Sequence, residues 1–175
     1  MISSYFPEGR PFSTKKVCMA GMLAAAAVLL SGFSFPVGPT RCFPFQHTVN
    51  ALAGALLGPW WATGIAFVAA LLRNLLGTGT VFAFPGSIPG ALAAGFAFRL
   101  FKNPAAALGE PLGTTLAGAP LAALVLGPAM GRSVGFLSLS GAFLLSSLPG
   151  ALIAMALLAG LEKTSLFASL RKDRS

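Results

Sequence analysis

The chain has 175 residues, 55% of them hydrophobic and 9% charged, with a mean hydropathy of +0.81. That is too little polar surface to cover a globule of this size in water, so the composition excludes a soluble domain and makes lipid the solvent for most of the chain. The formal charge of +8 does not indicate nucleic acid, because the basic residues sit at the two ends and in short gaps between apolar runs, with no patch of interleaved aromatics. The apolar runs are continuous, which favours helices over a barrel, and the 21 Gly and 13 Pro that interrupt them are tolerated in membrane helices when neighbours satisfy the freed backbone groups. Cys18 and Cys42 form no CxxC or His/Cys cluster, so neither a disulfide framework nor a metal site is implied.

Residues 1–16 read as a polar tail ending in Lys15-Lys16, residues 17–162 as a transmembrane domain, and residues 163–175 as a basic tail. From Val17 to Phe35 there is no charge, enough for one span of about 20 residues. A signal peptide shares this pattern, but the rest of the chain is equally apolar. Within this span Ala20 and Ala24, or Gly21 and Ala25, lie four apart, the spacing that lets helices approach closely in lipid; an alanine-rich helix also matches it by chance. A loop from Pro36 to Pro44 leads to a short second apolar stretch, Phe45 to Gly58. Gly58-Pro59 marks a tight turn, and Trp60-Trp61 beside it resemble an interfacial aromatic belt. The third span runs from Trp60 to Leu76, with Arg73 and Asn74 near its far end, and a Gly/Pro loop is expected from Gly77 to Ser87.

The fourth span is expected from Ile88 to Phe101. The fifth is expected to begin at Glu110-Pro111, where an acid and a proline suit a helix N-terminus, and to end at Gly127-Pro128. The last apolar region, Ser133 to Leu161, is too long for one straight span. Pro149-Gly150 is expected to divide it, leaving residues 133–148 as an extended or re-entrant segment before the sixth span. Ser87-Ile88-Pro89-Gly90-Ala91-Leu92-Ala93-Ala94 also resembles Ser147-Leu148-Pro149-Gly150-Ala151-Leu152-Ile153-Ala154, a hint that both prolines start helices.

Positive residues mark cytoplasmic loops. An all-α bundle of six transmembrane helices with both termini cytoplasmic puts Arg10, Lys15, Lys16, Arg99, Lys102, Lys163, Arg171, Lys172 and Arg174 inside and only Arg41, Arg73 and Arg132 outside. The same topology gathers Gln46, His47, Asn50, Arg73, Asn74 and the loop ending at Ser87 on the external side. Gln46 and His47 each share a helix face with Asn50. Polar side chains at the end of a short apolar helix are costly unless they have partners or line a wet cavity, so one site opening outward is the economical reading. The structural alternative is a set of interfacial residues, with Arg73 reaching the headgroups.

No phosphate-loop, HExxH or GxSxG motif occurs, and no cofactor is implied. Of the four acids, Glu8 and Asp173 lie in the tails and Glu110 and Glu162 are placed near the cytoplasmic face, so no acid/base pair is expected at the external site and enzymatic function is not indicated. A proton- or sodium-coupled carrier would call for an intramembrane carboxylate, and only Glu110, at the inner boundary, is on offer.

Cys-Phe-Pro-Phe-Gln-His-Thr-Val-Asn (42–50), Leu-Leu-Gly-Pro-Trp-Trp-Ala (56–62), Leu-Leu-Arg-Asn-Leu-Leu-Gly-Thr-Gly-Thr (71–80) and Phe-Ala-Phe-Pro-Gly-Ser (82–87) together resemble the ThiW family. These are substrate-binding S components of energy-coupling factor (ECF) vitamin importers in the cell membrane. The resemblance implies six helices, a pocket near the external face, and a thiamine precursor, hydroxyethylthiazole, as ligand. It also implies a transmembrane coupling protein and two cytoplasmic ATPases as partners, with Ala20, Gly21, Ala24 and Ala25 as the face offered to the coupling protein. A neutral, planar thiazole alcohol would stack on an aromatic such as Phe84, with hydrogen bonds from His47, Asn50 or Asn74 and with Arg73 bracing the loop carbonyls at Gly77 to Gly79. Two other classes remain open: a structural subunit of a membrane complex without ligand, and an autonomous secondary transporter.

Overall fold

The computed structural model describes residues 13–38 and 40–163. The two tails, with Arg10, Arg171, Lys172 and Arg174, therefore lie almost wholly outside the described residues.

Helix α1 (Thr14–Leu29) starts where the Ser13 hydroxyl caps the Lys16 N–H at 3.3 Å, and a 3-10 turn, Leu30–Gly32, ends it. The segment expected to be a plain loop holds a short antiparallel hairpin, β1 (Phe35–Val37) and β2 (Thr40–Cys42). Helices α2 (Pro44–Leu57) and α3 (Pro59–Leu75) each open on a proline, whose missing N–H costs nothing at a first helical position. Between them Gly58 takes φ 90°, a conformation open to glycine, and makes the tight turn read from Gly58-Pro59.

Helix α4 (Ala83–Phe101) starts five residues before the expected Ile88 and runs through Pro89. Helix α5 (Pro104–Ala129) starts six residues before the expected Glu110, at a turn where the Asn103 side chain accepts from the Ala106 N–H at 3.2 Å. It widens into π-type turns at Thr114–Gly118 and Leu121–Leu126, on either side of Pro120, whose ring cannot fit a regular i→i−4 ladder.

Helix α6 (Phe136–Leu161) corrects the expectation most plainly. Residues 136–148 are helical, neither extended nor re-entrant, and Pro149 lies inside the helix. The two prolines of the internal repeat thus sit within helices instead of starting them. In an apolar solvent an extended segment would strand its N–H and C=O groups, whereas a helical proline leaves only one carbonyl to satisfy, so the helix continues.

Three of these helices, Thr14–Gly32, Pro104–Ala129 and Phe136–Leu161, are long and apolar enough to cross a membrane. The 14-residue α2 is about 21 Å long at 1.5 Å per residue, short of a hydrocarbon core. The packing is inverted relative to a water-soluble protein. Alanines fill the interior, among them Ala27, Ala53, Ala66, Ala91, Ala107 and Ala154, while Leu29, Phe33, Leu100, Leu116, Leu124 and Leu137 point outward. Small residues inside let the backbones approach closely, and that close packing drives association when the surrounding tails are as apolar as leucine. Helix α2 sits at the centre: Val49 and Ala53 pack with α1, α3 and α4, whereas Ala51 and Ala55 pack with α4, α5 and α6.

Candidate functional site

A cleft opens at the N-terminal end of α2, where the β-hairpin meets α4 and α6. Thr40 and Arg41 line it from the hairpin, Phe43, Gln46 and His47 from the entry to α2, Thr80 and Phe82 from the α3–α4 loop, Ala83, Gly86 and Ser87 from α4, and Phe143 and Ser146 from α6. The enclosed part of the cleft is narrow, about 20 Å³, and the rest of the space between these residues lies at its open mouth. The hairpin is tied to α6 by the Cys42 thiol, which donates to the Ala142 carbonyl at 3.3 Å, and by the Phe43 N–H, which donates to the Ser146 hydroxyl at 2.7 Å. Burial pushes the Cys42 thiol above its ordinary pKa, with the Ser146 contact opposing, so this cysteine is a structural thiol with little thiolate character.

Of the residues expected at the site, Gln46, His47 and Ser87 line this cleft. The Gln46 Nε2 is buried and has no hydrogen-bond partner among the described residues. Phe84 is not in the wall; it packs against Phe67 with ring centroids 5.7 Å apart. The aromatic lining comes instead from Phe43, Phe82 and Phe143. Treating residues 77–87 as loop concealed this, because on a helix beginning at Ala83, residues 82, 83, 86 and 87 share one face and 84 turns away. Phe143 and Ser146 were missed for the same kind of reason: they share a face only if residues 136–148 are helical.

Behind His47 lies a polar cluster that places Glu110 inside the bundle, correcting its assignment to the inner boundary. The carboxyl is fully buried, and its Oε1 lies 2.6 Å from His47 Nδ1. The same oxygen accepts from Asn50 Nδ2 at 3.2 Å and from the Thr114 hydroxyl at 3.1 Å. Of this carboxyl–imidazole pair only the imidazole lines the cleft; the carboxyl stands behind it, closer to the cleft than expected. Asn50 also donates to the Ser87 carbonyl at 3.4 Å and is 1% exposed, so it links α2, α4 and α5 and lies behind the lining.

Arg73 and Asn74 do not reach the cleft. The Asn74 amide donates to the Ala70 and Thr80 carbonyls at 2.8 and 3.0 Å and closes the loop after α3. The Arg73 guanidinium does not brace loop carbonyls as expected. The bonds run the other way, with the Thr78 and Gly79 N–H groups each donating to the Arg73 main-chain carbonyl at 2.9 Å. Its side chain is fully buried with all three nitrogens unpartnered among the described residues, and its Cζ stands 3.8 Å from the centroid of the Phe43 ring. Snorkelling to headgroups is thereby excluded for this conformation.

The small-residue face of α1 divides. Ala24 is buried and Ala20 packs on the core formed with α2 and α3, whereas Gly21 and Ala25 stand exposed, and a Cβ on Gly21 would meet nothing within 4 Å.

An all-α architecture with apolar outward faces, alanine-filled helix crossings and a narrow cleft of aromatic, amide and imidazole groups is that of a membrane protein handling a small molecule, without a nucleophile–base–oxyanion arrangement in the cleft. No curated protein matches the chain. The family model described as thiamine-precursor transporter protein (ThiW) matches residues 17–164, most of the sequence, and the chain belongs to that family of transporters, which are not enzymes.

Proposed function

We propose that the chain is the substrate-capture subunit of an ECF-type importer of the cell membrane, and that it binds hydroxyethylthiazole in the cleft from the external side. The observation that carries this is the lining: in a chain of the thiamine-precursor transporter family, aromatic faces from Phe43, Phe82 and Phe143 surround one unpartnered amide donor and one imidazole. Such a site suits a planar heterocycle with a hydrogen-bonding tail. The absence of a phosphate-loop motif fits a subunit that borrows ATP hydrolysis from a coupling protein and two ATPases.

The test is a preparation of the chain co-expressed with such a coupling module. Hydroxyethylthiazole should bind the isolated, folded chain, and Gln46→Ala or His47→Ala should weaken it roughly ten- to hundredfold, the cost of about 1–3 kcal/mol for one lost buried hydrogen-bond partner. Gly21→Leu and Ala25→Leu should reduce co-purification with the module and leave ligand binding intact. A folded wild-type chain that binds no thiazole alcohol would end this reading.

Six spans with both termini cytoplasmic is the topology we propose, with residues 1–16 and 163–175 as tails. Tags at either end should be protected from external protease in intact cells, and cleavage at one end alone would rule out an even number of spans.

One observation favours a second reading. Glu110 is the intramembrane carboxylate that a proton- or sodium-coupled carrier would need, and it lies next to the cleft. That carrier would accumulate the thiazole in vesicles lacking any ATPase and lose the activity when the ion gradient is collapsed; the capture subunit would do neither.

A further inference from the structure

The internal repeat and the buried acid, both unexplained by ligand capture alone, meet at one place. Gly90, in the first copy of the repeat, faces α5: a Cβ there would lie 2.1 Å from the Thr114 hydroxyl oxygen and 2.6 Å from Glu110 Oε1. Gly150, in the second copy, faces α2: a Cβ there would lie 2.3 Å from the Pro44 carbonyl oxygen and 2.8 Å from His47 Cβ. A Cβ would push the Thr114 and Glu110 side-chain ends aside at Gly90 and would press on backbone at Gly150, so the glycine of each copy makes room for one member of the Glu110–His47 pair as placed.

We propose that Glu110 is a positioning residue that sets how His47 reads the ligand. Glu110 Oε1 gathers the Asn50 amide, the Thr114 hydroxyl and His47 Nδ1 around one oxygen, and in this proposal that oxygen is a carboxylate acceptor for all three, so that Nδ1 carries the hydrogen. Which nitrogen of a histidine is protonated is set by the bond the other one makes. With Nδ1–H committed to Glu110, Nε2 on the opposite side of the ring offers its lone pair, and His47 is a lining residue of the cleft. The ligand class is therefore one whose tail donates a hydrogen bond, an alcohol, and an otherwise identical ether is rejected because it would leave that buried acceptor unpaired. This inference rests on the thiazole-capture reading.

His47 is the only histidine of the chain, so nitrogen NMR of protein labelled with ¹⁵N-histidine reports on it alone. The wild-type protein in detergent should show the ring protonated at Nδ1 alone, with the Nε2 resonance moving on addition of hydroxyethylthiazole. The alcohol should bind about ten- to hundredfold more tightly than its O-methyl ether. Glu110→Leu should release the ring to carry its proton on Nε2 and abolish the discrimination between alcohol and ether. Glu110→Gln, which keeps an acceptor oxygen, should retain both. Because the tautomer and the alcohol–ether ratio are read on the wild-type chain, the inference stays testable even if Glu110→Leu does not fold. Alcohol binding by a His47 protonated at Nε2, or at both nitrogens, overturns this inference and leaves the capture reading standing; a wild-type chain that ignores the alcohol overturns both.

Discussion

Gly95→Ala is expected to destabilise the folded protein by about 3 kcal/mol, the upper end of the cost of overpacking a tight interior. The added Cβ would lie 2.3 Å from Pro59 Cα and 2.6 Å from Pro59 N. These are backbone atoms of a residue whose φ is locked, so nothing there can rotate away. On the neighbouring helix a Cβ at Gly54 would stand 2.8 Å from Gly95 N, which leaves α4 no freedom to slide toward α2. The α2–turn–α3 hairpin and α4 are thus joined through two glycines and a proline, at the end of α2 away from the cleft. Gly64→Ala in α3 is the control, since nothing lies within 4 Å of its Cβ and alanine favours the helix by about 0.5–1 kcal/mol. Unfolding in mixed detergent should separate the two variants by several kcal/mol in the sense given. Equal midpoints would mean that α4 does not cross the turn as described.

Arg73→Met is expected to raise stability, which is the opposite of what removing an ion-pair partner would do, because among the described residues this guanidinium has none. Its three nitrogens are buried without hydrogen-bond partners, and the effective cost of burying an ion unpaired is several kcal/mol. The Phe43 ring at 3.8 Å returns about 2 kcal/mol of cation–π attraction when desolvated. The penalty wins, so methionine, which fills similar space without charge, should gain about 1–2 kcal/mol net. The loop after α3 should not change, since Thr78 and Gly79 bond the main-chain carbonyl of residue 73 whatever its side chain. Arg73→Lys keeps the charge and loses the planar face, so it should be less stable than both. A clear loss of stability in Arg73→Met would show that the guanidinium has a compensating anion in the membrane-embedded protein, and phosphate or lipid headgroups would then be the first to test.

The same two regions separate what was legible in the chain from what was not. The turn at Gly58-Pro59 was readable because glycine's positive φ and proline's first-turn preference act over two or three residues and owe nothing to neighbours. The small-residue pattern of α1 was readable as a packing surface, yet which half faces inward was not: Ala24 and Gly21 differ only by rotation about the helix axis, and the position of α3 decides.

Proline misled the reading of α4 and α6, because in water Pro-Gly ends helices and in lipid the cost of stranded backbone groups keeps them going. That one misjudgement moved the aromatic wall from Phe82 and Phe143 to Phe84 and left half of the cleft unseen.

The composition by itself determined the solvent and the class of protein, since 55% hydrophobic residues over 175 positions cannot be covered in water, and its local signals determined where α2 and α3 begin. Only the tertiary structure decided the chemistry of the site. Glu110 and His47 are 63 residues apart, and nothing local to either announces the other; they meet at 2.6 Å because Gly90 and Gly150 let α4 and α6 close around them. A helix crossing depends on which side chains are missing at a single level of the bundle, and that level is set by the registers of several helices at once, which no window of the sequence contains.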